Sequence, residues 1–215
     1  TAVATVPGPD GGLAYAAHNT LFSTRWGPNE VGQLLPGSAV PNQVTQLAPL
    51  GVSASVGSCA IPIAGAPGAG QLKLVTWNSS QWYDATIALT LAGTYTITQV
   101  GPAIQLTGGP EGIVYPPLGY PLLSQHVLIA EWNTGNIVAY QVDNNGDPLP
   151  NTAQIVISNA SAPGGGAWDP LTGDLLFTHA NGTLLAPILV IGCGAFTNYG
   201  QGGAGLNGVP TIGAS

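Results

Sequence analysis

Short runs rich in Val, Ile, Leu, Thr and Tyr alternate along this 215-residue chain with breaks rich in Gly and Pro. Such runs occupy Gln71 to Trp77, Tyr83 to Leu91, Thr94 to Val100, His126 to Trp132, Asn136 to Val142 and Ala153 to Ser158. Several alternate with period two, as in Thr94-Tyr95-Thr96-Ile97-Thr98, which places successive side chains on opposite faces of a strand. The pattern predicts strands of about five to seven residues. Gly (32) and Pro (19) are spread along the whole chain as turns and are not gathered in one linker. No window carries a capped helix with a 3.6-residue apolar stripe. The chain reads as all-β.

A phrase recurs. A Gly-rich turn leads into a short strand at Gly11-Gly12-Leu13-Ala14-Tyr15, at Gly109-Pro110-Glu111-Gly112-Ile113-Val114-Tyr115 and at Gly165-Gly166-Ala167-Trp168-Asp169. A second strand follows at Leu21-Phe22-Ser23-Thr24, Leu74-Val75-Thr76, Leu128-Ile129-Ala130 and Leu176-Phe177-Thr178. Then come Trp26, Trp77, Trp132 or Ala180, and a polar turn. With Phe22, Val75, Ile129 and Phe177 taken as equivalents, the offsets are 53, 54 and 48 residues. That spacing suits a β-propeller-like array of four-stranded antiparallel blades. The units fall near 11–58, 59–108, 109–160 and 163–197, with a Gly-rich C-terminal tail over 198–215. One blade cannot bury both of its faces, so radial stacking must supply the core, and Gly12, Gly112 and Gly166 are placed to let inner strands approach the axis.

The segment from Pro163 to Thr178 resembles the blade signature of NHL, YVTN and SMP-30-like propellers. The run Leu128 to Tyr140 resembles their second strand, turn and third strand. The likeness covers Gly109 to Leu185 well and the rest weakly, and it speaks for blades, not for any one activity. It implies six or seven blades, whereas about four to five units fit here. The array is therefore either a small ring with one degenerate unit or an incomplete ring. An incomplete ring leaves unpaired edges that invite partners. Thr1 to Val6 and Asn198 to Ser215 are candidates to donate a strand to a neighbouring copy. The resemblance to SMP-30-like lactonases also implies a divalent metal, such as calcium, at the channel mouth. Glu111 matches their early Glu-Gly segment, and Asn133 and Asp169 are candidates for later ligands. The match departs from that family, because Glu111 falls in the third unit and not the first.

Charge narrows the choice of partner. Arg25 and Lys73 are the only basic residues against nine acidic ones, giving a net charge of -7. A phosphate-backbone binder needs a cluster of Lys and Arg, so nucleic acid is excluded, and the usual handle on anionic membranes is missing. Charged residues make up 5% of the chain and hydrophobic ones 45%, so copies repel one another weakly. The longest apolar stretch near the C-terminus, Leu184 to Ile191, is a strand in length and contains Pro187, so no membrane span is expected. A Thr start without Met reads as a chain whose leader has been removed, and the expected location is secreted, extracellular or cell-surface. Cys59 and Cys193 are compatible with one disulfide in that setting, or with two buried thiols.

Catalytic spacing is scarce. His18, His126 and His179 are isolated, with no HxH or HExxH, and no Gly-x-Ser-x-Gly elbow occurs. Asp143-Asn144-Asn145-Gly146-Asp147 is oxygen-rich like a calcium loop but lacks the bidentate Glu, and a hairpin turn explains it. Asn78, Asn159 and Asn181 begin sequons for N-glycosylation, about as many as composition alone would give. Trp26, Trp77 and Trp132 are packing or rim residues at a repeated position, or a ligand-facing aromatic platform. The expected function is a non-enzymatic structural or interaction protein, without cofactor, binding itself or another extracellular protein. The alternatives are a metal-dependent, lactonase-like extracellular hydrolase and a glycan-binding propeller.

Overall fold

The computed structural model describes residues 9–120, 123–169, 171, 175–179, 188–191 and 196–198. The regular structure there is β-strand, apart from three short 3-10 turns at Ala17–Asn19, Ala48–Leu50 and Pro150–Thr152. The strands form four antiparallel sheets in chain order. The first holds β1 (Pro9–Tyr15), β2 (Leu21–Arg25), β3 (Glu30–Leu34) and β4 (Gln43–Gln46). The second holds β5 (Val56–Ala60), β6 (Leu72–Thr76), β7 (Gln81–Leu89) and β8 (Tyr95–Val100), with β9 (Ile104–Gln105) pairing the start of β7. The third holds β10 (Pro110–Val114), β11 (His126–Glu131), β12 (Asn136–Gln141) and β13 (Gln154–Ile157). The fourth holds β14 (Pro163–Trp168), β15 (Leu175–His179), β16 (Ile188–Ile191) and β17 (Phe196–Asn198). This is the propeller-like array of four-stranded blades that the repeat predicts.

The inner strands β1, β5, β10 and β14 pack side by side around one axis, and β1 also touches β14. Glycine makes the approach close enough. A Cβ on Gly12 would lie 2.5 Å from the Cys59 backbone nitrogen, and one on Gly57 2.7 Å from the Pro110 carbonyl oxygen. A Cβ on Gly112 would overlap the Gly164 carbonyl oxygen. Each inner strand thus lays backbone on the next, where any side chain would force the sheets apart.

Among the described residues, three apolar layers lie between the sheets. Ala14, Phe22 and Val31 of the first sheet meet Cys59, Leu72, Leu74 and Tyr83 of the second. Val75 and Trp82 of the second meet Ile113, Val127 and Ile129 of the third. Val114, Leu128 and Ala130 of the third meet Leu175 and Phe177 of the fourth. Phe22, Val75, Ile129 and Phe177 are all fully buried, each contributing about 1.5–3 kcal/mol of transfer free energy.

The layers correct the predicted equivalence. Phe22 and Val75 face the sheet that follows them, whereas Ile129 and Phe177 face the sheet that precedes them. Register makes Ala14 opposite Phe22 the counterpart of Val114 opposite Leu128 and of Ala167 opposite Leu176. The true equivalents are Phe22, Val75, Leu128 and Leu176, offset by 53, 53 and 48 residues. A slip of one residue in a strand exchanges its two faces.

Candidate functional site

One end of the array gathers the connections that carry the repeated tryptophans. The inner strands begin there, and the turns β2–β3, β6–β7 and β11–β12 end there, each opening on Trp26, Trp77 or Trp132. The crossovers 47–55, 106–109 and 158–162 complete this rim. Trp26 is 46% exposed and Trp132 40%, while Trp77 is half-buried.

Each turn is fastened from below. Asn29, in the left-handed region at φ 54°, donates from Nδ2 to Val52 O at 3.2 Å and accepts the Val56 N–H at Oδ1 at 2.9 Å. It ties the Trp26 turn to the first crossover. Beneath Trp77, the Ser53 hydroxyl lies 2.5 Å from Ser79 Oγ and donates to Gln81 Oε1 at 2.7 Å. Tyr83 OH donates to the same Gln81 oxygen at 2.8 Å. Below Trp132, the buried Glu131 carboxylate accepts the hydroxyls of Thr107 at 2.8 Å, Thr134 at 2.7 Å and Tyr140 at 3.3 Å. Gly108 and Gly109 pass over this carboxylate and over Trp77 with φ of 72° and 64°, where a side chain has neither room nor a relaxed backbone. The Trp77 indole nitrogen lies under Gly109, buried and without a hydrogen-bond partner among the described residues.

The candidate metal ligands do not meet. Asn133 stands on the rim, where its N–H donates to Gly108 O at 2.9 Å, and the buried Glu111 begins β10 at the same end. Asp169 follows the last residue of β14. Gly112 lies against Gly164 and Gly166 against Val114, so β14 runs parallel to β10 and Asp169 sits six residues beyond the level of Glu111. At about 3.3 Å per residue the separation is roughly 20 Å, too far for one ion. The Asp169 carboxylate instead accepts the Leu171 N–H at 2.8 Å, closing its own turn. Among the described residues no group of three His, Cys, Asp or Glu side chains is placed to hold a metal. The residues present do not fit the metal that the lactonase resemblance implies.

The histidines also stand apart. His18 is exposed on the turn between β1 and β2, away from the rim. His126 starts β11 and His179 ends β15, at opposite ends of their sheets, and burial lowers the pKa of both. Cys59 is a buried thiol whose pKa burial pushes up to about 12. Cys193, its predicted partner, lies outside the described residues, as do Asn181, the Ala180 counterpart of the tryptophans, and the proposed strand donors Thr1 to Val6 and the tail from 199. Asn78 and Asn159 are both exposed on the rim.

The loop from Asp143 to Asp147 is a turn with an additional role. Asp143 Oδ1 accepts the N–H groups of Asn145 at 2.8 Å and Asp147 at 2.9 Å. Asp147 Oδ1 accepts from Lys73 Nζ at 2.8 Å and from Trp82 Nε1 at 2.9 Å. Lys73 is fully buried, and its ammonium also reaches Asp84, Gln71 and the Asn145 carbonyl. Burial raises the pKa of Asp84, an effect that Lys73 opposes. Sequence reasoning did not single out this cluster. Its one visible sign is a lone lysine within the otherwise apolar run Leu72 to Val75.

No protein-family model and no curated protein matches the chain. Solved structures do match by fold. Hydrazine synthase of Kuenenia stuttgartiensis superposes with a TM-score of 0.54 at 15% identity, over 89% of this chain and 48% of that one. Virginiamycin B lyase of Staphylococcus aureus gives 0.52 at 15%, over 92% and 57%. A 6-phosphogluconolactonase-like protein of Bacteroides fragilis gives 0.57 at 12%, over 87% and 55%. The neighbours are β-propeller-type folds, and at these identities the likeness is one of fold. The chain spans about half the length of the structures it matches.

Proposed function

We propose that this chain is a secreted, non-enzymatic interaction propeller built from NHL/YVTN/SMP-30-like blades, and that the rim bearing Trp26 and Trp132 is its contact surface. The observation that carries the reading is how the polar groups are used. The carboxylates of Glu131, Asp143, Asp147 and Asp169 each hold a turn or a neighbouring sheet. The rim offers to solvent indole surface together with the neutral amides of Asn78, Asn133 and Asn159. An indole face flanked by neutral donors and acceptors suits a partner that is itself neutral and hydrogen-bonding. A neutral glycan is the second reading, favoured by the exposure of Trp26 and Trp132 on one rim.

Intrinsic fluorescence titrations with soluble neutral polysaccharides test the rim directly. Glycan binding is expected to quench and blue-shift the tryptophan emission, and Trp26→Ala with Trp132→Ala is expected to abolish the change. A rim that engages a protein instead leaves the spectrum untouched by every polysaccharide. Lactone hydrolysis that depends on an added divalent cation would overturn the non-enzymatic reading.

A further inference from the structure

The loops at the end opposite the rim are short of charge. The inner strands finish there, β1 at Tyr15 and β14 at Trp168. The β7–β8 turn and the crossings from β5 to β6 and from β10 to β11 lie at the same end. The connections 61–71, 90–94 and 115–125 contain no charged residue. Each instead holds an aliphatic side chain out in solvent, namely Ile63, Leu91 and Leu118, and Leu91 is wholly exposed. Leu171, beyond β14, is 93% exposed, and Tyr15 and Trp168 add aromatic surface.

These side chains belong to one surface. At the axis β1 lies against β14, which brings the Tyr15 and Trp168 ends of the two strands together. Leu118 Cδ1 stands 3.2 Å from where a Cβ on Gly65 would be, joining the loops of the second and third sheets. Thr20 Oγ1 donates to Gly93 O at 2.8 Å and Tyr95 OH to Ala17 O at 2.9 Å, fastening the Leu91 turn to the turn that follows Tyr15. Tyr15, Ile63, Leu91, Leu118, Trp168 and Leu171 together expose the area of about four whole large side chains, roughly 800 Å² at ~200 Å² each. The largest apolar patch of an ordinary monomer is about 300–600 Å².

We propose that this end is a self-association face, on which a second copy of the chain docks end to end about a two-fold axis. A stable complex of standard size buries about 800 Å² on each partner, which is what these loops expose. A two-fold contact sets a patch against its own copy, so ionised groups on it would face their like. Here the described acids are drawn inward. Asp143 and Asp169 accept N–H groups of their own turns, and Asp84 and Asp147 hold Lys73. An apolar patch without free charge meets its own copy at no electrostatic cost, and interfaces between identical chains are the more apolar kind. No blade is inserted, so the packing of β1 on β14 and β10 stays as it is. The rims bearing Trp26 and Trp132 point away from the contact, and the dimer carries one at each end. Its test reads mass and not ligand capture, so this inference and the rim reading fail separately.

Light scattering on the full chain is expected to give twice the 21.5 kDa mass of one copy. Leu91→Glu and Leu118→Glu, in separate loops, are each expected to halve that mass. Both side chains lie in solvent in the single copy, so the far-ultraviolet circular dichroism is expected to stay unchanged. Trp26→Glu, at the opposite end, is expected to keep the doubled mass. Concentrated salt is expected to keep it too, since the contact rests on no ion pair. A doubled mass that survives both leucine substitutions, or is lost with Trp26→Glu or in salt, overturns the proposal, as does a larger polymer. A wild-type chain of single mass also overturns it, and co-sedimentation of that single chain with phosphatidylcholine vesicles would give the end to lipid instead.

Discussion

The Lys73 ammonium and the Asp147 carboxylate, 74 positions apart in the sequence, lie 2.8 Å apart across the junction of the second and third sheets. Lys73 is fully enclosed and the Asp147 side chain is 12% exposed. Trp82 donates to the same carboxylate oxygen, so one acid fastens the second sheet through two of its side chains.

Removing one member of such a pair strands the other in a poor solvent for charge. Lys73→Ala is expected to lower unfolding free energy by about 3–5 kcal/mol, measured by urea denaturation. Lys73→Met combined with Asp147→Asn is expected to lose less, because the pair leaves no buried charge and the Asn oxygen still accepts from Trp82, while the Asp84 side chain, 23% exposed, keeps access to solvent. Equal losses in the two variants would show that packing, and not the stranded charge, sets the cost.

The inner glycines yield a sharper contrast. Gly112→Ala is expected to destabilise by about 1–3 kcal/mol, since its methyl group would displace the Gly164 carbonyl and push the third and fourth sheets away from each other. Gly27, on the Trp26 turn, has open space around it and no left-handed backbone. Gly27→Ala is expected to leave the thermal midpoint within a degree or two of wild type (~0.5 kcal/mol or less).

Cys59 ties stability to alkaline pH. Its pKa rises from 9.0 to about 12 on folding, because burial penalises the thiolate. The folded state therefore holds the proton more tightly than the unfolded one. The stabilisation is complete below pH 9 and falls away as pH climbs toward 12. Cys59→Ala is expected to flatten the stability curve over that range. The thiolate is the reactive form, so a thiol reagent at pH 8 is expected to label Cys59 only when the protein unfolds. Rapid labelling of the folded chain would show that the site is open.

The blade period was legible because turns and strands recur at nearly fixed spacing, and the tryptophans after β2, β6 and β11 marked the rim without help from the structure. The facing of the strands was not legible. Leu128 and Ile129 are both fully buried, as are Leu74 and Val75, since each strand is covered on two sides. A strand buried on both faces shows no alternation, so nothing in the pattern distinguishes one register from its neighbour. The Lys73 cluster escaped for another reason. Its acids belong to different sheets, and only the stacking of sheets brings them together. The supposed metal ligands failed on the same ground in reverse. Glu111 and Asp169 look alike beside Gly-rich turns, but one lies at the start of its strand and the other follows the end of its own.

The first junction is held without charge. The Gln33 carboxamide accepts the Tyr95 N–H at 2.7 Å and donates to the Tyr95 carbonyl at 2.7 Å, taking the place of a strand neighbour, while Thr20 donates to Gly93 O at 2.8 Å. Amides and hydroxyls do not titrate between strong acid and strong base, and mobile ions do not screen them as they screen separated charges. The molecule therefore has one seam that ignores acid, where Cys59 answers only to strong base, and another, at Lys73, that is held by opposite charges. Strong acid would loosen the second and third sheets from each other while the first two travelled together.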